Sequence, residues 1–383
     1  MKSDESGAPQ RNSAREAYQT LASWLISDAY PRWSTDGVDP RGGFRERVSA
    51  DGVPIHEPRR ARVQPRQAYA FAQAPGLGWQ GPADRLFMHG IDYFLARYRR
   101  PDGLFRTLIS ADGLPVDDRA LLYDQAFALL AYAEGQKVLG KQSVLERETD
   151  YLVTAINKYL KRAAGAGFEA GLPVGGALLS NPHMHLFEAS QAWVAASSDA
   201  SWRLLADGLG ELALEKFIDP QTGALREQFN ADWSPAQGIV GRIVEPGHQY
   251  EWAWLLLRWK PERTDVRKAA LRLIEIGEQH GVVNGVAINA LLDDFSIHDP
   301  AARLWPQTER IKAGALAARL TGEARYWEMA ASATHALLRY LDTPVSGLWY
   351  DRLTSEGVFV QEPAPASTFY HIVAAVSELR AAA

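Results

Sequence analysis

A faint internal repeat of roughly 60 residues runs the length of the chain and limits what it can fold into. Each copy opens on a glycine and a short extended run: Gly43-Phe44-Arg45-Glu46, Gly103-Leu104-Phe105-Arg106, Gly167-Phe168-Glu169, Gly223-Ala224-Leu225-Arg226, Gly285-Val286-Ala287 and Gly347-Leu348-Trp349-Tyr350. A loop or hairpin follows, then an apolar helical stretch, a turn and a second helical stretch. Six helical pairs are the arithmetic of a closed double ring. The unusual polar residues Arg62, Tyr123, His185, His248, Trp305 and His371 fall about 18 to 25 positions after their glycines. In a true repeat they occupy the same end of six equivalent helices, around one mouth.

Helical periodicity marks Ala14–Ala29, Val63–Ala74, Ala83–Arg100, Leu121–Leu139, Val144–Arg162, His185–Ala196, Ser201–Phe217, His248–Trp259, Asp265–His280, Arg303–Leu320, Glu323–Leu341 and Thr368–Ala382. The first helix of a pair is rich in Ala, Trp, Leu and Phe, as in Gln249–Trp259, and belongs to an inner layer. The second carries charge (Arg267, Lys268, Glu275, Glu278) and belongs outside. Ala50-Asp51-Gly52, Ala111-Asp112-Gly113 and Ser355-Glu356-Gly357 read as hairpin turns, and Asn230-Ala231-Asp232 does the same work in the fourth copy. They precede first helices and are expected over the mouth. No linker divides the chain, so the expectation is a disordered lead-in over 1–12 and one catalytic domain over 13–383.

A net charge of −5 argues against nucleic acid as a partner. No apolar run nears the ~18 residues that span a bilayer, so no membrane partner is expected. The start, MKSDESGAPQ, lacks the apolar core of a secretory signal, from which a cytoplasmic location is expected. Without cysteine there is no disulfide, thiolate nucleophile or thiolate ligand. Aromatic residues at loops and helix starts (Trp33, Trp79, Trp233, Trp305, Trp349) suit the C–H faces of sugars, or packing between loops and helix ends.

Two His-x-x-Glu pairs stand out, His185/Glu188 and His248/Glu251. Residues three apart share a helix face, so each Glu is expected to reach its own His and raise its basicity. With His371 at a matching register, these form a proton-transfer set. The competing reading is capped or core histidines. His183-Met-His185 has the look of a ligand pair, but residues two apart diverge at a helix start, and further ligands are not obvious, so no metal is expected. Arg62 and Arg66 share a helix face, and Arg242, shortly before His248, is expected to join them. Asn181 lies one turn before His185. Trp305 and Glu309 lie on the fifth inner helix. No phosphate-cradling glycine loop and no Gly-x-Ser-x-Gly elbow appears, so no nucleotide cofactor is expected.

The run Arg62-x-x-x-Arg66-Gln67, Leu122-Tyr123-Asp124-Gln125, Asn181-Pro-His-Met-His185-Leu-Phe-Glu188, Pro246-Gly-His248-Gln-Tyr-Glu251, Leu304-Trp305-Pro-Gln-Thr-Glu309 and Tyr370-His371 resembles the N-acylglucosamine 2-epimerase superfamily over about residues 40 to 378. The resemblance implies an (α/α)6 barrel of six helical hairpins, with short β-hairpins over the active-site mouth. It implies His248 and His371 as the acid/base pair flanking C1–C2 of a sugar, with His185 assisting ring opening or proton relay. Arg62, Tyr123, Asn181, Glu188, Arg242, Glu251, Trp305 and Glu309 would hold the open-chain sugar. The chain departs from the pattern at Gln125, where the family often carries His. The implied activity is interconversion of D-mannose and D-fructose through an enediol(ate). Mannose 6-phosphate isomerisation and aldose 2-epimerisation (N-acylglucosamine, glucose/mannose or cellobiose) are the alternatives. A glycoside hydrolase on the same barrel, using paired carboxylates, and a non-catalytic sugar-binding protein are the readings from other classes. A sugar is the expected partner, and a homodimer is compatible with the family.

Overall fold

The computed structural model describes residues 8–140, 143–163 and 165–382. Residues 1–7 of the expected lead-in lie outside the described residues, and from Ala8 the chain is already helical. Helix α1 (Ala8–Trp24) runs on through a π turn at Leu25–Ala29 into the short helix Tyr30–Trp33. Then follow α2 (Val63–Gln73), α3 (Ala83–Tyr98), α4 (Leu122–Leu139), α5 (Ser143–Tyr159) and α6 (Ser180–Ala196). After them come α7 (Ala200–Leu212), α8 (Pro246–Trp259), α9 (Thr264–His280), α10 (Leu304–Thr321), α11 (Ala324–Leu341) and α12 (Phe369–Ala382).

The even-numbered helices pack side by side in the order α2, α4, α6, α8, α10, α12 and back to α2, so the inner ring closes. They are buried around almost their whole circumference, which is why they carry so much Ala and so little free charge. Each outer helix lies against the inner helix before it. The last pair departs from the expected consecutive hairpins: α12 finds its outer partner in α1, from the other end of the chain. That closure is fastened by aromatic packing. Trp33 stacks on Trp349 at 4.7 Å between ring centroids, and its Nε1–H donates to the Gly347 carbonyl at 3.0 Å. Gly347 has φ +82° and backs onto the Asp28 carbonyl, where a Cβ would sit 2.6 Å from the oxygen, so only glycine fits.

Several helices begin earlier than the periodicity suggests. α6 starts at Ser180, not His185, and α8 at Pro246, not His248. Asn181-Pro182 and Pro246-Gly247 look like breaks, yet proline is at home in a first turn, where its missing N–H has no partner to lose. The consequence is functional: Asn181 and His185 become neighbours one turn apart on a single helix.

Two devices repeat around the ring. At the mouth, the segment entering each inner helix pairs antiparallel with the strand of the next repeat. Arg59–Arg60 pairs with Leu108–Ile109, Ala120–Leu121 with Gly171–Leu172, and Leu178–Leu179 with Gln228–Phe229. Ile243–Val244 pairs with Leu291–Leu292, Ala302–Arg303 with Arg352–Leu353, and Ala364–Pro365 with Arg47–Val48, which closes the crown. The turns expected at Gly52, Gly113 and Gly357 each carry a backbone hydrogen bond closing the loop, and the fifth repeat has one too, at Leu292–Ser296. It lacks the glycine signal because Phe295 takes the left-handed position (φ 65°), as Trp233 does in the fourth (φ 66°).

The second device is a side-chain clamp on the strand after each anchor glycine. Gln64 accepts from the Phe44 N–H and donates to its carbonyl. Gln125 does this to Phe105, Gln249 to Leu225 and Gln307 to Ala287. In the third repeat His183 takes the place, its Nε2 accepting from the Phe168 N–H at 2.9 Å. Gln125, the departure from the family pattern, is therefore a buried clamp and not a wall of the mouth. Gln125→Leu should leave the Phe105 N–H and C=O orphaned and cost about 2–5 kcal/mol of stability, read as a lower denaturant midpoint. Ligand affinity should hardly move; a loss of affinity with unchanged stability would contradict this role.

Candidate active site

The first turns of the inner helices converge on a pocket of about 490 Å³ at the crown end of the barrel. Of the residues singled out in the sequence, Arg62, Tyr123, Asn181, His185, His248, Glu251, Trp305 and His371 line it. Glu188 and Glu309 stand behind this wall: Glu188 receives the Tyr370 O–H at 2.5 Å, and Glu309 meets His371. Arg242 is absent from the pocket. It sits in a half-exposed turn, held at 2.8 Å by Asp293 and at 2.9 Å by Asp294. Sequence proximity to His248 misled because the residues between form the crown strand Ile243–Val244, which carries Arg242 outward.

The expected His-x-x-Glu pairing holds for one histidine and fails for the other. His185 Nδ1 lies 3.4 Å from Glu188. Glu251, however, approaches His185 at 3.8 Å. His248 instead directs Nδ1 to Glu227 at 2.9 Å, with Glu245 at 3.8 Å. Glu227 was not legible beforehand, because it comes from the strand preceding α8. Glu245 was, as Glu-x-x-His read upstream of His248. The other residue that sequence reasoning passed over is Lys312. It is fully buried behind Glu309, with Nζ 2.5 Å from Oε2.

The four buried histidines differ sharply in charge. Burial alone depresses His248, but Glu227 and Glu245 more than compensate and lift it to about 10, so it is an imidazolium at neutral pH. Burial, reinforced by Arg66 and Lys312, pushes His371 well below 6.5 and leaves it neutral. His185 falls to about 3 and His183 to about 4, burial outweighing their hydrogen bonds. His183 is wholly committed to structure, Nδ1 donating to the Leu179 carbonyl at 2.7 Å while Nε2 clamps Phe168. The His-x-His ligand pair therefore does not exist in space.

His371 Nδ1 donates to Glu309 Oε1 at 2.9 Å, which places the Nε2 lone pair on the pocket side. His248 has Nδ1–H committed to Glu227 and so offers Nε2–H. The Trp305 ring neighbours both, at 5.1 Å from His248 and 5.8 Å from His371 between centroids. Arg62 is steered by Asp124 at 3.1 Å and lies over the Tyr123 ring at 4.5 Å. Asn181 Oδ1 and Glu251 Oε1 are buried without a hydrogen-bond partner among the described residues, as acceptors waiting for ligand hydroxyls would be. Burial and the nearby Glu309 and Glu188 carboxylates raise Glu251 well above the usual carboxylate range. At the rim stand Arg60, which also pairs with Glu46, and Arg303, 3.4 Å from Glu245. Two groups bring ligand atoms within 4.8 Å, His185/Glu188/Glu251 and Glu227/Glu245/His248. In the second, an imidazolium has no Nδ1 lone pair to give a cation.

A family model for N-acylglucosamine 2-epimerase (GlcNAc 2-epimerase) matches residues 42–375. The chain belongs to that family. It is a carbohydrate isomerase or epimerase with the family's helical barrel. The "Mannose-6-phosphate isomerase" of Rhizobium meliloti (strain 1021) is 46% identical over 370 residues, covering 94% of this chain and 95% of that one. The "D-mannose isomerase" of Thermobifida fusca is 27% identical over 376 residues, covering 89% and 88%. A solved "D-mannose isomerase" superposes with a TM-score of 0.87 at 21% identity, over 94% of this chain and 97% of that one.

His248 titrates near 6.5 when unfolded and near 10 here, so folding favours its cation. Its contribution to stability is complete below about pH 6.5 and is lost as pH rises through about 10. Thermal melts of the wild type and His248→Asn should show the stability difference shifting against the wild type across that interval. A difference independent of pH would contradict the assignment.

Proposed function

We propose that this chain is an aldose–ketose isomerase that interconverts D-mannose and D-fructose by proton transfer between C2 and C1. The observation that carries the reading is the pair of histidines on one pocket, one cationic and one neutral. A C–H alpha to an aldehyde is weakly acidic, so its removal needs a positioned base together with stabilisation of the oxygen that becomes negative. Neutral His371 takes the C2 proton of the open-chain sugar on Nε2. The His248 imidazolium and Arg62 hold the enediolate oxygen. The proton then returns at C1, while His248 gives its Nε2 proton to O1 and takes the proton of the O2 hydroxyl, giving the ketose. Neutral His185, with Asn181, Tyr123 and Glu251, positions the hydroxyls and assists ring opening. Return of a proton to the opposite face of C2 would give the epimer from the same groups, so the pose of the sugar decides the product.

One observation favours a second reading of the substrate. The relative that is 46% identical over nearly the whole chain bears the name mannose-6-phosphate isomerase, and Arg60, Arg62 and Arg303 offer cations at the pocket. Proton NMR in D2O with mannose, mannose 6-phosphate, glucose and cellobiose in parallel separates the possibilities. The expected result is fructose, or its 6-phosphate, carrying deuterium at C1. An epimer labelled at C2 without ketose would make it an epimerase, and no exchange with any sugar would sink the mechanism. His371→Asn and His248→Asn should each lower kcat/KM by about 10²–10⁴-fold with the fold intact by circular dichroism.

A further inference from the structure

We propose that Lys312, which lies behind the pocket wall, is a positioning residue that sets the charge of His371 by neutralising Glu309. The inference rests on the acid–base reading above. Its basis is a comparison internal to the molecule. His248 and His371 are both buried, and each directs Nδ1 to a glutamate oxygen at 2.9 Å, Glu227 and Glu309 respectively. By that contact alone both would become imidazolium ions, and two imidazolium ions leave no base. What differs is the far side of the glutamate. Among the described residues Glu227 has no ion-pair partner besides His248, so its charge is spent on that ring and on the Ser180 hydroxyl, which donates at 3.1 Å. Glu309 Oε2 faces the Lys312 ammonium at 2.5 Å.

Lys312 is held in place from two sides. It lies three residues after Glu309 on α10, on the same face, and its ammonium sits over the Trp254 ring at 3.8 Å from the centroid. No part of Lys312 reaches solvent. A buried ammonium is costly where an apolar side chain would fill the space, so its presence calls for a use. The surroundings of His371 are otherwise mixed. Arg66 and Tyr69 come from α2, His185 and Glu188 from α6, and His248 and Glu251 from α8. Tyr370 is its neighbour on α12, and Asp351 holds Thr368 in the turn before it. The α1 extension brings Tyr30 against Phe369. Arg66 acts in the same direction as Lys312, but it bonds the Ser367 carbonyl and Tyr123, not Glu309. The Thr308 hydroxyl also donates to Glu309 Oε1 at 3.4 Å, but among the described residues Lys312 is the cationic side chain in ion contact with the carboxylate that touches His371.

The test is an NMR titration of the full chain with isotopically labelled histidine, which needs no turnover and so stands apart from the identity of the sugar. In Lys312→Met the His371 titration should move up by about two pH units. The acid limb of its kcat/KM–pH profile should move up by the same amount with the alkaline plateau kept, because a protonated base is restored by alkali. A lone buried carboxylate also costs stability, so three further variants are measured. Glu309→Gln should move the His371 titration downward, and Glu309→Gln/Lys312→Met should bring it back toward the wild type. Lys312→Arg, which keeps the cation, should leave it near the wild-type position. A titration unmoved in Lys312→Met, or moved in the same direction by both single substitutions, would overturn the proposal. A purely structural lysine would lower activity equally at every pH, with no rescue in the double variant. Absence of turnover with every sugar would instead strike the isomerase reading and leave the titration to stand or fall alone.

Discussion

A carboxylate buried against an imidazole normally holds a proton on it, and the chemistry of this pocket depends on one of two such contacts being defused. His248 against Glu227 and Glu245 is a cation, while His371 against Glu309 is not, because burial, Arg66 and Lys312 together hold it neutral. The pocket thus presents a base and an acid together at neutral pH. Without the difference the same two rings would both be acids. The Trp305 ring neighbours both and gives the pocket wall an apolar plate beside them.

The scaffold holds this arrangement through connections that are short and buried. The mouth is a ring of two-residue ladders, each tying the entrance of one inner helix to the next repeat, and the last ladder joins Ala364–Pro365 to Arg47–Val48. Beneath it the glutamine clamps fix each anchor strand to the first turn of an inner helix. Side chains in those first turns therefore have little freedom to drift, which is what proton transfer at a positioned carbon requires. Closure by α1 against α12 makes the N-terminal helix part of the wall behind the catalytic histidine, so the two chain ends are coupled to the site.

Much of this was legible in the sequence. Repetition of glycine and helix pairs gave the double ring, and register brought Arg62, Tyr123, His185, His248, Trp305 and His371 to one pocket. What could not be read were contacts between separate elements of the fold. Glu227 reaches His248 from a neighbouring strand, and Glu251 turns to His185 on the adjoining helix; a spacing rule within one helix sees neither. Lys312 was passed over because a lone lysine three residues after Glu309 carries no signal that the neighbouring helices bury it. Arg242 shows the opposite error, nearness along the chain mistaken for nearness in space. Proline in first turns hid the starts of α6 and α8. Phe295 in a left-handed position concealed the fifth hairpin, since that place usually signals itself with glycine.

Neutron diffraction from deuterium-exchanged crystals grown near neutral pH tests the central claim most directly, because it shows the protons themselves. The account predicts deuterons on both ring nitrogens of His248, and on Nδ1 alone of His371, pointing at Glu309. Two neutral rings, two charged rings or the reverse assignment would contradict it.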